Sequence, residues 1–63
     1  MDHPAMQATL DELSNLWAAK FSGDWVKVDE IQDDMFWSIA ARRLKMKDYL
    51  EYFPEVQVYR LCK

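Results

Sequence analysis

The stretch Asp24–Leu44, DWVKVDEIQDDMFWSIAARRL, decides the fold. Ser22-Gly23 ahead of it suits the end of one helix. Asp24 suits the N-cap of the next, because its carboxylate accepts hydrogen bonds from free first-turn amides. On this reading a central helix runs from 24 to 44. At 100° per residue, Val28, Ile31, Met35 and Ile39 share one face, with Trp25 and Phe36 at its edge. A second apolar set, Val26, Trp37, Ala40 and Leu44, falls on the other side among Glu30 and Asp33. A helix apolar on two sides is covered on two sides, either by the rest of the chain or by another molecule. The alternative makes Trp25–Val28 a short alternating strand, with the helix beginning at Asp29 and Gln32 completing a cap.

Upstream, residues 1–8 read as a lead-in, with Pro4 suited to a first helical position. Thr9-Leu10-Asp11-Glu12 matches the Ser/Thr-x-x-Glu capping box, and a helix follows over 9–21. Leu10, Leu13, Trp17 and Phe21 share its apolar face, with Leu16 at the margin. The brief Ser22-Gly23 link predicts an antiparallel helical hairpin. Downstream, Lys45–Phe53 (KMKDYLEYF) places Met46, Tyr49, Leu50 and Phe53 on one helical side. With no Gly or Pro before it, this segment either continues the central helix or forms a third one. Pro54 ends it. Residues 54–63 are rich in β-formers and read as an extended tail. The expected class is therefore all-α, a helical hairpin or three-helix bundle in a single domain over 1–63. The alternative is α+β, with a two-stranded edge from 25–28 and 56–61.

Sixty-three residues bury only about 60% of the surface an unfolded chain exposes, so association is a natural supplement to the core. One cysteine, Cys62, excludes an internal disulfide, and one histidine, His3, excludes a Cys/His zinc site. No apolar run reaches the length of a membrane span, and Met1–Pro4 lacks the character of a signal peptide. A reduced cytoplasmic setting, in a bacterial or phage-encoded chain, is expected.

Net charge is −3, unevenly divided. Residues 1–41 carry eight acids and two bases, and residues 42–63 carry three acids and six bases. Acid at the start of the central helix and base at its end suit the helix dipole. The carboxylates at 29, 30, 33 and 34 lack the Gly-centred loop of a calcium site and read as a solvated face.

No nucleophile motif, base pair or cofactor signature is present, so no enzyme, cofactor or metal site is expected. The expected function is docking on a larger protein, or on a second copy, as an inhibitor, adaptor, accessory subunit or other regulator. Trp37, Leu44, Arg42, Arg43, Tyr49 and Tyr52 are the candidate contacts, since Trp, Tyr and Arg most often dominate interface energetics. The second reading is nucleic-acid binding through Arg42, Arg43, Lys45 and Lys47 beside the two tyrosines, because phosphates need bases and unpaired nucleobases stack on aromatics.

Overall fold

Thr9 opens a helix as its sequence predicts. In the computed structural model, which describes residues 3–22 and 25–62, the Glu12 amide donates to Thr9 Oγ1 at 3.1 Å and the Thr9 amide to Glu12 Oε1 at 2.9 Å. Those bonds to Thr9, the backbone one foremost, hold the Glu12 carboxyl below its usual pKa. The helix, α2, spans Leu10–Phe21. Leu13 and Trp17 are fully buried, and Leu10 and Phe21 pack against the same core. A shorter helix, α1 (Pro4–Gln7), precedes it inside the expected lead-in, with His3 Nδ1 accepting from the Ala5 amide at 3.2 Å.

The expected all-α class is wrong: the described residues form an α+β fold. Asp24–Leu44 is not one helix. It divides into β1 (Val26–Lys27), α3 (Val28–Ile31) and α4 (Met35–Met46). Two caps make the divisions. The Lys27 amide donates to Glu30 Oε2 at 2.9 Å, starting α3 at Val28 rather than Asp29. Asp34 is extended and its Oδ1 accepts from the Trp37 amide at 3.3 Å, starting α4. A helix interior has no use for such a residue, whereas an N-cap does. The Asp24 cap and the Gly23 turn lie outside the described residues.

The break resets the helical phase. Trp37, Ala40, Ala41 and Leu44, at i, i+3, i+4 and i+7, form the core stripe of α4. Met35, expected on the core face, is 66% exposed. The set read as a second stripe is thus the main one.

The helix expected over 45–53 also gives way to a strand. Asp48 adopts φ 64, the Asp48 amide bonds Lys45 C=O at 3.1 Å, and the Tyr49 amide bonds Leu44 C=O at 2.8 Å. This is a Schellman closure with Asp where Gly is usual. The chain then runs extended as β2 (Leu50–Phe53), turns through 54–57, and returns as β3 (Val58–Leu61). The tail is therefore a strand, and it lies in the middle of the sheet. The order is β1-β3-β2, all antiparallel, with Val26 opposite Tyr59, Glu51 opposite Arg60 and Phe53 opposite Val58.

Helices α2, α3 and α4 pack on one face of this sheet, and α1 packs on α4. Leu13 and Trp17 from α2, Ile31 from α3, and Ala40, Ala41 and Leu44 from α4 meet Val26 and Leu50 from the strands. Tyr59 and Leu61 of β3 pack against the same cluster. None of the helices is long and apolar enough to cross a membrane.

Gln57 in the hairpin also has positive φ, at 52. A left-handed backbone costs an L-residue about 1–2 kcal/mol, and glycine gives back about 0.5–1 kcal/mol of that through unfolded-state entropy. Gln57→Gly is expected to stabilise the fold by about 0.5–1 kcal/mol, read as a Tm rise of about 2–8 °C. Asp48→Gly should gain less, because a short polar side chain tolerates this backbone. Thermal melts of the two variants beside the wild type check both.

Candidate protein-binding surface

The six residues expected to contact a partner do not lie together on open surface. Leu44 is fully buried in the core and presents nothing to a partner. Trp37 is half-buried within a ring cluster, with centroids 5.9 Å from Trp17, 5.2 Å from Phe21 and 5.0 Å from Phe36. Three of these contacts are edge-on, the geometry ring quadrupoles favour. Arg43 is turned inward: its Nη1 donates to Ala5 C=O at 2.7 Å and Ala8 C=O at 2.6 Å, fastening α1 to α4. Tyr49 donates to Asp11 Oδ1 at 3.0 Å, a bond that, with desolvation, raises its pKa.

Arg42, Tyr52, Lys45 and Lys47 remain accessible. Lys45 Nζ stands 4.9 Å over the Tyr52 ring, and Tyr52 lies 5.1 Å from Tyr59. Burial, then Tyr52, raise the Tyr59 pKa, while Arg42 pulls it down. With Arg43 committed to α1, the basic group at the end of α4 is reduced to Arg42, Lys45 and Lys47.

The residue the sequence reading placed at the edge of a core stripe is the one left open. Strand residues alternate faces. Val26, Tyr59, Tyr52, Leu50 and Leu61 point to the helices, so Trp25, Lys27, Val58, Arg60, Glu51 and Phe53 belong to the other face. None of the four helices covers that face. Trp25 is 54% exposed and Val56, in the adjoining turn, 62%. Across the middle strand, Trp25 and Phe53 approach to 5.0 Å between ring centroids. They close over Val58, which is only 6% exposed yet lies outside the core cluster. Arg60 Cζ lies 5.7 Å from the Trp25 ring centroid, and its Nη2 is 3.5 Å from Glu51 Oε1. This pair is exposed and adds little stability. The signal for the surface was the parity of Trp25-Val26-Lys27, which becomes readable only once that segment is a strand.

His3 Nδ1 is used in capping α1, and the Cys62 thiol sits at the surface near Glu51 and the Arg60 carbonyl. Among the described residues no three of His, Cys, Asp and Glu are grouped to hold a metal ion. No protein family, curated protein or solved structure matches the chain.

Proposed function

We propose that the protein is a small docking module that binds a larger protein through the uncovered face of its sheet. One observation carries this reading: Trp25 stands half out of the surface, backed by Phe53 and flanked by Arg60, on a face with no helix over it. Trp and Arg are the residue types most enriched among interface hot spots. An indole held by a neighbouring ring loses little conformational freedom on binding. The face also carries Lys27, Arg60 and Glu51, which supply a polar rim around the apolar centre. The action is stoichiometric, as inhibitor, adaptor or accessory subunit, in a reducing compartment that suits an exposed Cys62 thiol.

The test is capture from nuclease-treated and untreated lysate of the source cell, with binding then measured on the retained protein. Trp25→Ala is expected to weaken binding at least about tenfold, the scale of a hot spot above ~1 kcal/mol, with the fold retained by circular dichroism. Met46→Ala, on the opposite side of the molecule, should bind as the wild type does. Retention that survives Trp25→Ala removes the sheet face from the mechanism. Retention that requires nucleic acid, and is lost in Arg42→Ala/Lys45→Ala, replaces this reading with nucleic-acid binding at the end of α4.

A further inference from the structure

A second surface, distinct from the Trp25 face, has unpaired backbone. β2 is an edge of the sheet, and its hydrogen-bond phase is set by two bonds. The Cys62 amide donates to Tyr49 C=O at 2.8 Å, and the Val28 amide donates to Gln57 C=O at 3.0 Å. Bonded and non-bonded pairs alternate along an antiparallel ladder. Glu51–Arg60 and Phe53–Val58 are therefore the bonded pairs of the hairpin, and Tyr59 is bonded to β1. Leu50 and Tyr52 direct their amides and carbonyls away from the sheet. No described strand lies beyond them. β2 contains neither a proline nor a bulge, two of the devices that blunt natural edges.

We propose that this edge pairs with β2 of a second copy of the chain, antiparallel about a two-fold axis. Leu50 of each copy would lie opposite Tyr52 of the other, joining the two sheets into one of six strands. The register follows from what each alternative leaves unsatisfied. An axis through Leu50 sets Tyr52 against Asp48, whose amide is already given to Lys45 C=O. An axis through Tyr52 sets Leu50 against Pro54, which has no N–H. Only the axis through Glu51 uses every outward amide and carbonyl of both residues.

The charges agree with a second copy as the occupant. The axis brings two Glu51 carboxylates together, and each arrives with its own Arg60 at 3.5 Å. The four groups are neutral as a set. Lys45 and Asp48 line one open cleft of about 360 Å³ beside Leu50 and Tyr52. Antiparallel pairing presents the cleft of one copy, with both signs of charge, to the cleft of the other. A two-fold interface of this kind must be self-complementary, and this one is. The Trp25 face stays open in the pair, so the inference stands or falls apart from the docking reading.

Sedimentation equilibrium over a wide concentration range, with amide hydrogen exchange on the same samples, tests the proposal. The average mass is expected to climb from one chain toward two. The Leu50 and Tyr52 amides should exchange at least tenfold more slowly at the dimeric end, with the Glu51 and Val26 amides unchanged. Glu51→Gln, which leaves the two Arg60 guanidiniums at the axis without their carboxylates, should shift dimer formation to several-fold higher concentration. Tyr52→Pro should remove it, and Trp25→Ala should leave it unaltered. A mass that stays at one chain, with concentration-independent exchange at Leu50 and Tyr52, overturns the proposal. So does a dimer that protects the Trp25 face instead.

Discussion

Trp17→Ala is expected to remove half or more of the chain's stability. Trp17 is fully buried at the junction of α2, α4 and β3, with ring centroids 4.7 Å from Phe21, 5.9 Å from Trp37 and 6.1 Å from Tyr59. Removing a buried indole costs about 3–5 kcal/mol, from lost transfer energy and the cavity left behind. A chain of this length has about 3–9 kcal/mol to lose, at roughly 0.05–0.15 kcal/mol per residue. The loss is comparable to the whole. The midpoint of urea unfolding, followed by far-ultraviolet circular dichroism, measures it. A loss below about 1 kcal/mol would mean that the ring cluster is not the keystone of the core. Trp17 also buries an Nε1–H with no hydrogen-bond partner among the described residues. Leaving a donor unsatisfied costs about 1–3 kcal/mol, so Trp17→Phe is expected to be much milder than loss of ring area alone suggests.

Arg43→Ala should release α1. The guanidinium bonds two carbonyls that the short helix cannot satisfy internally, those of Ala5 and Ala8. Hydrogen bonds to a charged group contribute about 1.5–3 kcal/mol, and α1 has only four residues of its own to hold it. Ala5, fully buried beneath it, loses its seat. Amide exchange over residues 5–8 should accelerate by about one to two orders of magnitude, with total stability down by about 1.5–3 kcal/mol. Arg43→Lys should rescue only in part, because one ammonium cannot reproduce the planar fork. Unchanged exchange in Arg43→Ala would show that packing alone seats α1. Arg43 therefore makes a poor probe of partner binding, since any effect on affinity would be confounded with this release.

The parts of the fold that were legible share one property: their signals are local. The capping box at Thr9 and the i, i+3, i+4 stripe of α2 are complete within that helix, and the structure reproduces them. The failures occur where a local signal was ambiguous or disguised. Asp34 caps α4, but it is one of four neighbouring acids that read equally well as a solvated helical face. Asp48 closes α4 in a left-handed conformation that a reader seeks at Gly. Leu50 and Phe53 satisfy helical spacing with Tyr49, while Leu50 and Tyr52 satisfy strand alternation. What decides between these is β3, which pairs Glu51 with Arg60 across the hairpin and Val26 with Tyr59 far along the chain. The placement of the aromatic side chains turns on the same two breaks. A helix started ten residues early turns Trp37 outward and Trp25 inward, and the true caps exchange them.

The position of β3 has a consequence for biosynthesis. The strand that sits in the middle of the sheet is the last of the three to leave the ribosome. Until Leu61 has emerged, β1 and β2 have no neighbour to bond, and Val26 and Leu50 have no completed sheet to hold them against α2 and α4. Folding of the sheet is therefore deferred until β3 has been made. A chain interrupted anywhere before residue 58 is left as tethered helices with an apolar flank in water, an easy substrate for quality-control proteases. Chains that contain β3 and chains that stop short of it are thus sorted by topology itself.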